Sequence, residues 1–385
     1  MSPLIKMKEL KLEPEDSGTD FDEDDDEDCD TAESNENEEL FQQCPLISQC
    51  RVGSKKKYIL QVAGTLENNP NVAVGLSDYT CEVYNLSSNK FAKLTVFSEH
   101  KDIITEVKFC NSNSNLLYTG SHDGTVRLWD LRVPKNSTLQ FKDTTLTNGQ
   151  VKLLNSFDIA PNNLLLAAGT SLFEGDTFLL FWDARKTSLL GGYWESHTRD
   201  VTQVKFHPDD SNKLISGATD GLINIYDLSQ SREDDALIDS LNTESSIEKL
   251  GWLQRGGKDV ISCVTPTEDV QFWKLDDAQP YLHLRRCEIA TEIHGITDST
   301  YMVDVHEGLG CTLALAGSSD GGERLRGLSL AGDIVFPALG FPQNKQRVRA
   351  SWFNSHTNLL LTGGEKGILN AWDVKINNYA MKREK

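Results

Sequence analysis

Hydrophobic residues in this chain fall into short, strand-length runs separated by turn-forming residues, with no stretch of about 18 apolar residues that could cross a membrane as a helix. LLYTG, TVRLWD, KLISG, LINIYD and ILNAWD are rich in β-branched and aromatic residues, a composition that suits a pleated, half-buried surface. Asp-Gly lies between the first and second of these runs and again between the third and fourth. A tight two-residue turn needs positive φ, which glycine adopts without steric cost, so each pair reads as an antiparallel hairpin.

The hairpins recur. HKDIITEVKFCNSNSNLLYTGSHDGTVRLWD, residues 100–130, aligns without gaps on HTRDVTQVKFHPDDSNKLISGATDGLINIYD, residues 197–227. His100 and His197, Phe109 and Phe206, Gly120 and Gly217, and Asp130 and Asp227 keep the same offset. ALAGSSDG (314–321) and WFNSHTNLLLTGGEKGILNAWD (352–373) are further copies. Weaker ones are VAVGLSDYTCEVYNL (72–86), FDIAPNNLLLAAGTSLFEGDTFLLFWD (157–183) and WLQRGGKDVISCVTPTEDVQFWKL (252–275), which makes seven units. The third carries extra residues, SLFEGDT (171–177), which should lengthen its hairpin and make it protrude.

A unit of about 40–45 residues, opening near a His and closing a hairpin on Trp-Asp, resembles the WD repeat, and seven such units resemble a seven-bladed β-propeller. The resemblance covers residues 43–376 and implies an all-β, non-enzymatic protein-interaction scaffold. It also implies a buried hydrogen-bonded network in each well-formed unit. The matching positions are His100, Thr119, Asp123 and Trp129 in the second unit, and His197, Ser216, Asp220 and Tyr226 in the fourth. Two copies in equivalent places argue for structure and against catalysis. The seventh unit departs from the pattern, with Lys366 at the turn Asp and Gln343 at the His; the fifth has Cys263 for Gly and Lys274 for the last Asp. Those two blades are expected to be held mostly by packing.

A ring of sheets is stable only if it closes without an exposed edge. Few residues follow Asp373, so CPLISQCRVG (44–53) is expected to supply the outer strand of the last unit from the other end of the chain. That would leave the N-terminal tail at the outer rim of the seventh blade, with residues 377–385 as a short C-terminal tail.

The formal charge of −20 is mostly local. Residues 13–39 hold sixteen acidic side chains and no Lys or Arg, leaving the rest of the chain near −4. Residues 1–42 cannot bury enough apolar surface to offset the entropy of ordering and are expected to be disordered. Such a tail could capture basic partners such as histones or ribosomal proteins. Ser17 and Ser34, flanked by acids, could be phosphorylated there. RVGSKKK (51–57) reads as a solvated turn. The eight cysteines are scattered without a C-x-x-C pair, as expected of free thiols in the cytoplasm or nucleus.

One short stretch invites a different chemistry. GSSDG (317–321) fits G-x-S-x-G, the turn that presents a hydrolase nucleophile. Ser319, however, aligns with His122 in a hairpin turn, and GERLRGLSL beyond it reads as a strand where the hydrolase turn needs a helix. No phosphate-binding loop, dinucleotide fingerprint or H-E-x-x-H motif is present in the sequence. The expectation is therefore no catalytic residue, no metal and no cofactor, in a monomer that binds neither nucleic acid nor membrane.

Function then lies on the surfaces. WDLR (129–132) and WDAR (182–185), on consecutive units, resemble the W-D-x-R motif by which some WD-repeat proteins dock on the adaptor of a cullin-RING ubiquitin ligase as substrate receptors. Arg132 and Arg185 are the candidate docking residues, since a guanidinium fork can pair with a carboxylate through two hydrogen bonds.

Overall fold

The structure, a computed structural model, describes residues 40–53, 57–133, 135–146, 149–308, 310–319, 324–332 and 334–375. The acidic run, Ser17, Ser34, Asp320, Gly321 and the C-terminal tail lie outside the described residues. The described chain forms seven sheets, antiparallel except for one short edge strand. Blade 1 spans residues 59–97, blade 2 104–142, blade 3 154–193, blade 4 201–242, blade 5 249–284, blade 6 300–340 and blade 7 348–373. The fold is a seven-bladed β-propeller.

The recurring glycine of the second strand is explained by packing between blades. A Cβ on Gly75 would lie 3.1 Å from Ile104, on Gly120 2.4 Å from Phe157, on Gly169 2.4 Å from Val201, and on Gly217 2.7 Å from Ile247. Each of these neighbours belongs to, or leads into, the next blade. Gly363 meets Ile59 in the same way at 2.5 Å, which carries the contact from blade 7 round to blade 1. A side chain at these positions would wedge neighbouring sheets apart. Gly120→Ala is expected to cost about 1–3 kcal/mol, because Phe157 must shift within a close-packed core. Urea unfolding of the variant checks this.

The third strands supply the largest buried side chains. Trp129, Trp182, Trp273 and Trp372 are each about 1% exposed or less, and Tyr226 fills the same place in blade 4. Every indole N–H of the four has an acceptor: Thr119 Oγ1 at 2.8 Å, the Lys142 carbonyl at 3.0 Å, Gln271 Oε1 at 3.2 Å and Thr362 Oγ1 at 3.0 Å. The rings therefore bury their area without leaving an unpaired donor. At the centre, Lys205 on the first strand of blade 4 lies 3.2 Å from Glu106 on the first strand of blade 2. That pair skips blade 3, so it reaches across the central channel.

Closure runs from N- to C-terminus. The strand Leu46–Arg51 pairs antiparallel with Ile368–Asp373, with Leu46 opposite Trp372 and Arg51 opposite Ile368, and becomes the outer strand of blade 7. The exit of the tail differs from the sequence expectation. Gln42 and Gln43 run parallel to Leu339 and Gly340 and add a fifth strand to blade 6, so the tail leaves from blade 6 and not blade 7. Phe41, which the sequence boundary placed in the tail, is 3% exposed. Its ring lies 4.0 Å from the Arg326 guanidinium and meets His294 edge-on at 6.0 Å. That aromatic anchor holds Phe41 against blade 6, although its neighbours in the sequence are mostly acidic and polar.

Candidate functional site

The third strands of blades 2 and 3 end at Asp130 and Asp183, just before the turns that carry Arg132 and Arg185. Both turns are built the same way. Asp130 Oδ1 accepts the Arg132 backbone N–H at 3.0 Å, and Asp183 Oδ1 accepts that of Arg185 at 3.0 Å. Each guanidinium then folds back on its own aspartate. Arg132 Nε and Nη2 donate at 2.9 and 2.6 Å, and Arg185 Nε and Nη2 at 2.9 and 2.8 Å.

The aspartate has a structural role that needs no arginine. In blade 4, Asp227 Oδ1 accepts the Ser229 N–H at 2.9 Å, the same turn without a cation. What Arg132 and Arg185 add is a fixed, solvent-facing fork, their side chains 62% and 61% exposed. Pairing uses Nε–H and one Nη2–H, so the remaining guanidinium N–H groups stay available to an outside carboxylate or carbonyl. The hydrogen bond from each arginine holds Asp130 and Asp183 at about 2, so both pairs stay ionised at neutral pH. The two arms are equivalent by geometry and sit on neighbouring blades.

The histidine networks are assembled inside blades 2 and 4. Trp129 Nε1 donates to Thr119 Oγ1 at 2.8 Å, Thr119 Oγ1 lies 2.7 Å from His100 Nε2, and His100 Nδ1 lies 2.9 Å from Asp123 Oδ2. In blade 4, Ser216 Oγ is 2.7 Å from His197 Nε2, and His197 Nδ1 is 3.1 Å from Asp220 Oδ2. Tyr226 replaces the tryptophan more loosely, with Ser216 donating to its hydroxyl at 3.4 Å. Burial opposes the charge on Asp123, but hydrogen bonds from His100 and Thr125 outweigh it and hold the carboxyl at about 2. With His100 and His197 each about 6–7% exposed, these groups span strands and turn and are buried within the blades.

Ser319 has no nucleophile geometry. Its hydroxyl donates to the Ser299 carbonyl at 3.3 Å, and Ser318 pairs with Arg324, so the described residues on either side belong to antiparallel strands and not to a strand and a helix. Cys44, Cys50 and Cys263 are pushed up to about 12 by burial, so their thiols pack and do not attack.

Two polar devices went unread in the sequence. Blade 7 lacks the His–Asp pair but is not held by packing alone, because Gln346 and not Gln343 takes over the turn. Its Oε1 accepts the N–H groups of Lys366 and Ile368 at 3.1 and 3.2 Å, while its Nε2 donates to the Ile368 carbonyl at 2.5 Å. Gln343 instead accepts the Leu46 N–H at 3.2 Å. In the loop entering blade 3, Lys152 is 7% exposed, donates to Asp143 at 2.8 Å and lies 3.7 Å from the Phe178 ring centre.

The model of the WD domain, G-beta repeat, matches residues 91–130 and 189–227, the stretches that close blades 2 and 4 at Asp130 and Asp227. The chain is a WD-repeat β-propeller. This WD-repeat propeller is similar to the WD repeat-containing protein 89 homolog of Dictyostelium discoideum, 34% identical over 225 residues, 58% of this chain and 56% of that protein. It is also similar to WD repeat-containing protein GTS1 of Arabidopsis thaliana, 29% identical over 287 residues, 70% of this chain and 69% of that protein. GATOR2 complex protein WDR24 of Danio rerio is 27% identical over 158 residues, 41% of this chain and 19% of that protein. The match to the first of these relatives spans little more than half of its length.

Proposed function

We propose that this WD-repeat propeller is a non-enzymatic scaffold that holds proteins together in a cytoplasmic or nuclear assembly. The observation that carries the reading is the pair of Asp–Arg arms. Two identical, exposed, pre-oriented guanidinium forks on adjacent blades have no counterpart need in the core, where the blade 4 turn forms without one. A relative named as a GATOR2 complex protein supports the general form of this reading, a propeller working inside a complex.

A second reading is favoured by the W-D-x-R repetition itself: the arms dock the adaptor of a cullin-RING ligase, and the propeller recruits substrates. The test is affinity purification from cells with wild type and the Arg132→Ala, Arg185→Ala double variant, followed by mass spectrometry. Exposed pairs contribute little to stability, so the double variant is expected to melt within about 1–2 °C of wild type. The scaffold reading expects defined partners with wild type and loss of at least one with the variant. If the lost partner is a ligase adaptor, the second reading stands; an unchanged set of partners discards the arms as a docking site.

A further inference from the structure

The opposite end of the ring carries a surface that the Asp–Arg arms do not use. Strands alternate in direction, so second-to-third-strand turns and blade-to-blade loops share one end, while turns after the third strand lie at the other. On the first of these ends, blades 2 to 4 expose Ile103 (38%), Val151 (46%), Leu153 (42%), Leu172 (53%) and Trp194 (53%).

These side chains are tied into one arc. The His122 N–H donates to the Ile103 carbonyl at 3.0 Å, fixing that loop to the blade 2 turn, and Val151 packs directly on Gly124 of the same turn. The Ser171 N–H donates to the Leu153 carbonyl at 2.9 Å, and the Leu172 N–H to Asp200 at 2.7 Å. Thr177 Oγ1 donates to the His197 carbonyl at 3.1 Å, which joins the blade 3 turn to the loop bearing Trp194. The extra residues of the third unit are what raise Leu172 above this face, in a small hairpin closed by Phe173 and Asp176.

Charge selects the occupant. Asp102, Glu174, Asp176, Glu195 and Asp200 surround the arc, against Lys101 and Arg199. Of the two lysines in or beside the loop that carries Val151 and Leu153, Lys152 is buried and committed to Asp143, while Lys142 is exposed and leaves the acids in excess. An apolar strip inside an acidic rim fits a segment that presents apolar side chains flanked by Lys or Arg, with the apolar contacts giving affinity and the rim giving selection and on-rate. We infer that this arc on blades 2 to 4 docks a basic, apolar segment of a partner protein. The inference rests on the scaffold reading and assigns it a second surface, built from other loops than those that carry Arg132 and Arg185.

The test uses the full chain and three fluorescent peptides of about twelve residues, alternating Lys–Leu, Glu–Leu and Lys–Ser, followed by anisotropy. The Lys–Ser peptide reports attraction by charge, to the acidic run and the acidic rim together, without apolar contact. Lys–Leu is expected to bind most tightly and to lose at least about tenfold in affinity with Leu172→Ser, Trp194→Ser. The loss should be comparable with Glu174→Lys, Asp176→Lys, and absent with Arg132→Ala, Arg185→Ala. All substituted positions are exposed, and unchanged melting temperatures confirm folding. Equal binding of Lys–Ser and Lys–Leu, tighter binding of Glu–Leu, or wild-type affinity in the two arc variants overturns the inference. If the arc fails while the Arg132- and Arg185-dependent partners are still recovered from cells, the scaffold reading stands without this surface.

Discussion

A chain truncated to begin at Gly53 is expected to lose its cooperative unfolding transition, while one beginning at Leu40 is expected to melt with the full chain. The difference is the segment that closes the ring. Residues 41–52 supply the outer strand of blade 7, the added strand on blade 6, and the buried side chains Phe41, Cys44 and Val52. Burial of Phe41 and of Val52 contributes about 1.5–3 kcal/mol each, so with the lost ladder the deficit is on the order of 5 kcal/mol or more. That is a large part of the net stability of a typical domain. The exposed edge of Ile368–Asp373 would also invite pairing between chains. Differential scanning calorimetry with light scattering checks both halves: a broad or absent transition with aggregation for the short chain, and coincident transitions for the longer one.

Asp123→Ala is expected to destabilise the propeller by about 2–3 kcal/mol, because the buried donors of His100 and Thr125 then lose their acceptor. Thermal melting of the variant measures it. The pH dependence carries a defined sign. Asp123 ionises at about 2 in the folded chain against an ordinary value of 3.8, and its side chain is 9% exposed. A depressed carboxyl contributes stability that is fully present above the unfolded value and is lost as pH falls through the folded one. Here that contribution is roughly 2 kcal/mol, and it disappears between about pH 4 and pH 2. The gap between wild type and Asp123→Ala should therefore be constant from pH 5 to 8 and narrow below about pH 4. A gap that stays constant down to pH 2 would mean that the ionised carboxylate is not what holds the turn.

The propeller was legible in the sequence because its units repeat residues with distinct local physics: Gly where the next blade presses in, Asp-Gly where a hairpin turns, Trp or Tyr where the sheet interior is filled. Closure was legible for a simpler reason, since CPLISQCRVG, upstream of the first unit, has the composition of a strand and belongs to none of the seven units. Other features needed three dimensions. Gln42 and Gln43 do not look like a strand, and only the free edge beside Leu339 and the stacking of Phe41 on Arg326 make them one. Gln346 lies three residues beyond the position aligned with His100, so alignment pointed to Gln343. Its amide nevertheless reaches the turn that Lys366 leaves without an aspartate. In W-D-x-R the arginine was readable, but not its pairing with the aspartate two residues earlier, which depends on the turn folding that Asp back. The apolar arc was hidden for a similar reason, because its residues come from four separate loops and turns that only the ring brings together.

The most direct test of the scaffold account is the native size of the chain in a gentle cell extract, read by gradient sedimentation with quantitative mass spectrometry of each fraction. The account predicts that wild type sediments well ahead of the isolated chain, with the same proteins in fixed proportion across the peak. It also predicts that the Arg132→Ala, Arg185→Ala variant shifts towards the size of the free chain. Wild type sedimenting as the single chain, with no protein tracking its profile, would contradict it.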